Sequence, residues 1–138
     1  MRPVVFSYKI FRNVPSPIIS FKIKGPENWF GLEAYVDSGA FISIFSFQNA
    51  FQIGINPEKG RKIFVTVSDG GSIPVYLHKL DVKIGNTPFK ATIGFSERLG
   101  VGFNLLCRKD FFAHFDITFS DRKKTIIFNP KLPVPRKS

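Results

Sequence analysis

Ala34-Tyr35-Val36-Asp37-Ser38-Gly39-Ala40-Phe41-Ile42-Ser43-Ile44-Phe45 runs from an apolar strand through one acidic residue and two small residues into a second apolar strand. A carboxylate at such a junction is costly if buried alone, because its charge loses hydration. It persists where the turn hydrogen-bonds it, or where a second group shares its charge or proton. On these residues the bland reading is an ordinary Asp-Ser-Gly turn, in which Asp37 and Ser38 bond local backbone and Gly39 takes a positive φ angle. The sharper reading is an acid that shares its site with a second group.

The flanks read as strands. Ile18 to Lys24 alternates apolar with polar from Ile19 onward, the period of a half-buried strand. Gly25-Pro26-Glu27-Asn28 supplies a turn, so Trp29 to Val36 returns as a hairpin partner and delivers Asp37. Upstream, Val4 to Phe11 is one extended segment closed by Pro15 and Pro17. Downstream, Ser46 is placed to cap a single helical turn, and a loop follows through Gly54, Pro57 and Gly60. Lys62 to Val67 and Ile73 to Ile84 are strands joined by Ser68-Asp69-Gly70-Gly71-Ser72, whose glycines suit a tight reversal. Thr87 to Phe95 follows the Gly85-Asn86 turn. A short strand, Asn104 to Leu106, then passes into a brief helix. His114 to Ser120 and Thr125 to Phe128 make a last hairpin, and the prolines beyond it lack the donors to carry a ladder far. The chain reads as all-β.

With 138 residues, 43% of them hydrophobic, the chain is long enough for one real core and too short for two. One cysteine, Cys107, excludes an internal disulfide framework and fits a reducing, cytoplasmic setting. His78 and His114 share no ligand-like spacing with it, so no metal or cofactor is expected. No apolar run reaches the ~20 residues that span a bilayer, so no membrane partner is expected. The net charge of +10 would attract polyanions. The cations are scattered, however, and recognised nucleic-acid folds leave no signal, so the charge reads as solvated surface.

Asp37-Ser38-Gly39-Ala40 between apolar strands resembles the active-site motif of the retropepsin-like aspartic proteases. Asn104-Leu105-Leu106-Cys107-Arg108-Lys109-Asp110-Phe111-Phe112 resembles that family's second signature, two apolar residues leading through a small residue into a short helix. The Asp69-Gly70-Gly71 reversal stands between them where the family carries its flap. The resemblance covers roughly Ile18 to Phe128. It implies a closed barrel or sandwich with a flap hairpin and one short C-terminal helix, in a single domain over 1–138 whose ends lie at a dimer interface.

The implied chemistry needs two carboxylates, and this chain has one such motif. The resemblance therefore implies a homodimer with Asp37 of each subunit facing one water, cleaving peptides or unfolded proteins. Ser38 would bond across the two-fold axis, Gly39 would admit substrate backbone and Ala40 would keep the cleft floor shallow. Ser68, Asp69, Gly70, Gly71, Ser72 and Ile73 would form the flap tip, and Phe41, Ile42, Ile73 and Val75 would line the cleft. Leu105, Leu106, Cys107 and Arg108 would pack the second motif behind the site. Terminal segments, Val4 to Phe11 and Ile126 to Leu132, would pair between subunits.

Two positions depart from the family pattern. Cys107 replaces a glycine, where it either crowds or fills the space behind the turn. Phe41 replaces an acid, which leaves Arg108 to find Asp110 or a carboxylate across the dimer. Two further readings stand beside this one: a peptide-binding or dimerisation module without turnover, suggested by these departures, and a basic nucleic-acid-binding β-domain, suggested by the charge and the many aromatics.

Overall fold

A computed structural model describes residues 2–67, 69–99 and 103–131. In chain order the strands are β1 (Val4–Ser7), β2 (Lys9–Phe11), β3 (Val14–Ser16), β4 (Ile18–Lys24), β5 (Trp29–Val36) and β6 (Ser43–Ser46). Helix α1 (Phe47–Gln52) and a 3₁₀ turn (Pro57–Lys59) precede β7 (Arg61–Thr66), β8 (Ser72–Ile84), β9 (Thr87–Ser96) and β10 (Leu105–Leu106). Helix α2 (Phe111–His114) leads into β11 (Phe115–Ser120) and β12 (Thr125–Pro130). None of these helices is long and apolar enough to cross a membrane.

Seven strands form one sheet in the order β4-β5-β10-β6-β9-β8-β7. The length of β8 lets it pair with β7 and β9 and also reach β4, through Lys22↔Lys83 and Ile23↔Val82, which closes the sheet on itself. The alternation in β4 is realised: Ile19, Phe21 and Ile23 point into the core while Ser20, Lys22 and Lys24 face solvent. Within that core, rings meet edge-on, Phe45 against Phe21 and Phe95, and Phe115 against Phe89 and Phe128. Each fully buried phenylalanine contributes roughly 1.5–3 kcal/mol of hydrophobic stabilisation.

A second sheet, β1-β12-β11, covers one end of the core with Phe115, Ile126 and Phe128. Because β12 is central, both of its edges are paired within the chain, and the sheet's free edges are those of β1 and β11.

The N-terminal segment is not one extended run. Tyr8 interrupts it, donating its N–H to the Lys124 carbonyl and its hydroxyl to Asp121 Oδ1. Beyond Tyr8, β2 and β3 form a separate two-stranded ribbon around Arg12-Asn13, both in the left-handed region (φ 49° and 64°). Asparagine tolerates that region, but arginine gives no turn signal, which is why the ribbon is not legible in the sequence. The ribbon is anchored by the Phe11 ring, edge-on to Phe103, and by the Lys9 ammonium, which pairs with Glu33 and bonds Ser20 Oγ.

Candidate functional site

Asp37 leaves the end of β5, and its turn is held from behind by the second motif. Leu105 and Leu106 pair in parallel with Tyr35 and Val36, and Leu105 also pairs with Ile44 of β6. The parallel ladder continues past the strand ends. Tyr35 N–H donates to the Asn104 carbonyl (2.8 Å) and Asp37 N–H to the Leu106 carbonyl (2.9 Å). In return, Arg108 N–H donates to the Ala40 carbonyl (3.1 Å) and Lys109 N–H to the Phe41 carbonyl (2.7 Å). Both sides of the Asp37-Ser38-Gly39-Ala40 turn are thus tied to one short segment that is far away in sequence.

Within the turn, Gly39 N–H donates to Asp37 Oδ1 at 2.8 Å. The sequence suggested a positive φ for Gly39, but its φ lies outside the left-handed region; space is what it provides. A Cβ there would stand 3.2 Å from Asp37 Oδ1 and press on the carboxylate. Ser38 and Gly39 are exposed, whereas Asp37 and Ala40 are half-buried. Asp37 and Ser38 line a groove of about 580 Å³ together with Val14, Pro15 and Pro17. A larger concavity, about 1280 Å³, lies over β4, β5 and α1 and includes no residue of the Asp37 turn.

Cys107 fills the space behind the turn. Its side chain is completely buried, and its N–H donates to Ser43 Oγ (2.8 Å). Burial, reinforced by the negative charge of Asp37, pushes the thiol up to about 12, so it stays protonated and inert.

Arg108 does not pair with Asp110. Asp110 instead accepts the Thr92 N–H at 2.6 Å, and it sits at φ 69° ahead of α2 without capping that helix through its side chain. The Arg108 guanidinium lies 5.0 Å over the Phe112 ring, with Nη1 3.4 Å from the Ser38 carbonyl. Phe41 stands out from the turn, 62% exposed, with the Lys109 ammonium 5.6 Å over its ring.

The β7–β8 hairpin carries Asp69, Gly70 and Gly71 at its tip, all exposed, with Ser72 opening β8. Ser68 lies outside the described residues. Val67 N–H donates to the Gly71 carbonyl and Gly70 N–H to the Val67 carbonyl. Ile73 and Val75 do not line an open cleft as the sequence suggested. Both are buried with Ile44 in a small cluster beneath the hairpin, which Ile42, Ile63 and Val65 flank. Strand alternation puts them there, since the hairpin's inner face must cover apolar surface.

Two supporting residues escaped the sequence reading. Asn104 is buried; its Nδ2 donates to the Glu33 carbonyl (3.0 Å) and Asn49 Oδ1 (2.7 Å), while its Oδ1 accepts the Ser46 N–H (3.0 Å). It thereby joins β5, the start of α1 and the second motif. Ser43 does the same for Cys107. The available signal was a polar residue inside each buried apolar run, since such groups persist only when bonded.

No protein-family model matches the chain, and no curated protein matches it in sequence. Solved structures do. A retropepsin-like aspartic protease from Rickettsia conorii superposes with a TM-score of 0.73 at 17% identity, covering 94% of this chain and 91% of that one. The EIAV protease, in complex with the inhibitor HBY-793, superposes with a TM-score of 0.54 at 17% identity, covering 71% and 86% respectively. The chain therefore has the retropepsin-like fold.

Proposed function

We propose that the protein is an aspartic endopeptidase acting as a homodimer, with Asp37 of each subunit facing one water. The observation that carries this reading is the mounting of Asp37. Its carboxylate stands part-exposed on a turn gripped on both sides by Leu106, Arg108 and Lys109, in a fold shared with two aspartic proteases.

Each chain brings one such turn, so a two-fold partner supplies the second carboxylate. Carboxyls about 3 Å apart share one proton and titrate as a pair, as in the pepsin example of this chemistry. The ionised carboxylate takes a proton from water as the water oxygen attacks the peptide carbonyl. The protonated one donates to the carbonyl oxygen, and collapse of the tetrahedral adduct expels the amine. No covalent enzyme intermediate forms.

Ser38, exposed beside Asp37, bonds across the axis; Gly39 admits substrate backbone and Ala40 floors the cleft. The β7–β8 tip, Asp69 to Ser72, closes over an extended peptide as a flap and excludes water. At the chain ends, β1 and β11 hold the free backbone edges that a partner strand can use, since β12 is paired on both sides. The cytoplasm, a reducing compartment, suits the single thiol.

The test is hydrolysis of an unfolded protein across pH by wild type and Asp37→Asn, with sedimentation of both. Cleavage by a wild-type dimer and none by a variant dimer is the expected result; equal cleavage by the variant would end this reading.

Arg108 favours a second reading, a peptide-binding or dimerisation module without turnover. Its guanidinium rests on Phe112 and a carbonyl, and no carboxylate among the described residues pairs with it. That reading predicts peptide affinity with no cleavage at any pH between about 3 and 7.

A further inference from the structure

Basic and aromatic residues that are scattered along the sequence converge on one surface, formed by α1 and the outer face of the β7–β8 hairpin. Phe51 of α1 is 62% exposed, with its ring centre 6.2 Å from that of Phe47. Phe47 lies 5.8 Å from Tyr76 of β8. The Lys62 ammonium follows, 5.9 Å from the Tyr76 ring and 5.3 Å from Phe64, which is 67% exposed.

Register explains the alignment. Lys62 stands opposite Tyr76 and Phe64 opposite Pro74, and residues two apart on a strand share a face. Lys62, Phe64, Pro74 and Tyr76 therefore present one face, while Ile63, Val65, Ile73 and Val75 turn inward to the buried cluster. Helix α1 extends the outer face with Phe47 and Phe51. The result is a stripe in which three rings, one ammonium and a fourth ring succeed one another at nearly even spacing.

Lys59 stands exposed three residues before Lys62, with Glu58 the one acid between Asn56 and Lys62, whereas Arg61 shares the strand face of Ile63 and Val65. Neither Lys59 nor Lys62 forms an ion pair among the described residues. An array of accessible rings interleaved with uncompensated positive charge complements a ligand of planar rings joined by negative charges. An unpaired polynucleotide strand has that chemistry, because its bases are free to stack and each linkage carries one charge. A duplex hides its bases in its own stack.

We propose that α1, β7 and β8 carry a binding site for single-stranded nucleic acid. Phe51 and Phe64 stack on bases, and Lys59 and Lys62 contact phosphates. The site is separate from Asp37 and does not depend on peptide hydrolysis.

The test uses the full chain and a labelled oligothymidylate of about twelve nucleotides, followed by fluorescence anisotropy between about 50 and 200 mM salt. Two phosphate contacts predict that log K falls against log salt with a slope of about −1.4. The combined variant Lys59→Gln, Lys62→Gln flattens that slope by the same amount, whereas Arg61→Gln does not. Phe51→Ser and Phe64→Ser each weaken binding about tenfold at fixed salt and leave the slope unchanged. Both rings are exposed, so unchanged circular dichroism and melting of these variants confirm that the loss is one of contact. No binding at low salt, equal binding by the phenylalanine variants, or equal affinity for the matching duplex would each overturn the proposal. Preferential binding to phosphatidylserine vesicles that the oligonucleotide fails to displace would assign the stripe to a membrane surface instead.

Discussion

Asp37 and Asp69 close the same local structure. In each, the carboxylate Oδ1 accepts the N–H of the glycine two residues on, at 2.8 Å, and a Cβ on that glycine would press on the same oxygen, at 3.2 and 3.0 Å. The surroundings differ. The Asp37 turn is tied through its backbone to Leu106, Arg108 and Lys109, with Cys107 and Leu106 fully buried behind it. The Asp69 turn sits at a hairpin tip, where its backbone bonds return to Val67 of the same hairpin. An Asp-X-Gly sequence specifies a turn; what lies behind the turn decides whether the carboxylate has a fixed position. Fixed position is what acid–base chemistry requires, and a yielding tip is what a closing element requires.

The comparison breaks most decisively through the two acids. Asp37→Asn lowers hydrolysis of a peptide substrate by about three orders of magnitude or more, the scale of losing an acid–base group, whereas Asp69→Asn stays within a few-fold of wild type. Equal losses in a steady-state assay would mean that the scaffold behind Asp37 has no bearing on function.

The scaffold itself comes next. Leu106→Ala empties a fully buried position and costs about 2–5 kcal/mol in urea unfolding. Ser43→Ala leaves the Cys107 N–H unpaired at a buried site and costs about 1–3 kcal/mol. A substitution at the exposed Ser72 beside the other turn shifts the same midpoint by no more than ~0.5 kcal/mol.

The glycines separate the two turns more finely. Gly39→Ala displaces the Asp37 carboxylate, so activity falls while thermal stability changes little. Gly70, at φ 88° with open space around its missing Cβ, behaves in the opposite way: Gly70→Ala costs about 1–2 kcal/mol of backbone strain with little loss of activity.

The smallest effect is one of pH. Burial raises the Cys107 thiol from 9.0 to about 12 in the folded chain, so below pH 9 it is protonated in both folded and unfolded states. Between pH 9 and 12 only the unfolded chain releases that proton, and stability falls as pH rises through this window. Tyr8, raised from 10.0 to about 12 by burial and by its bond to Asp121, adds to the fall in the upper part of the window. Cys107→Ala should flatten the dependence between pH 9 and 10, as read by urea midpoints. An unchanged slope would show that the space behind the Asp37 turn is wet.

Much of this was legible in the residues. The alternation of β4, the turns at Gly25-Pro26 and Gly85-Asn86 and the Ser46 cap are local rules, and the structure follows them; Ser46 Oγ accepts the Asn49 N–H. The order of the Asp37 turn, the Asp69 hairpin and the Leu105-Leu106 strand gave the fold. What stayed hidden depends on contacts between distant residues. Nothing near Asn104 states that its side chain will bond Glu33, Ser46 and Asn49. Nor does anything near Arg108 state that Asp110 will instead accept the distant Thr92 N–H. Likewise Phe47, Lys62, Phe64 and Tyr76 look unrelated until β7, β8 and α1 bring them side by side.

The grip of the second motif on the Asp37 turn also sets a time at which the site can exist. Ser43 and Cys107, which meet behind the turn, are 64 residues apart, and the β5–β10 pairing spans a similar interval. Contacts of such separation form late, because the intervening loop must first be closed. On a chain emerging from the ribosome N-terminus first, β4 and β5 can pair while Asp37 still sits on an unsupported turn. The carboxylate acquires its fixed position only after Lys109 has been released, so Asp37 emerges well before the backbone frame that later holds its turn.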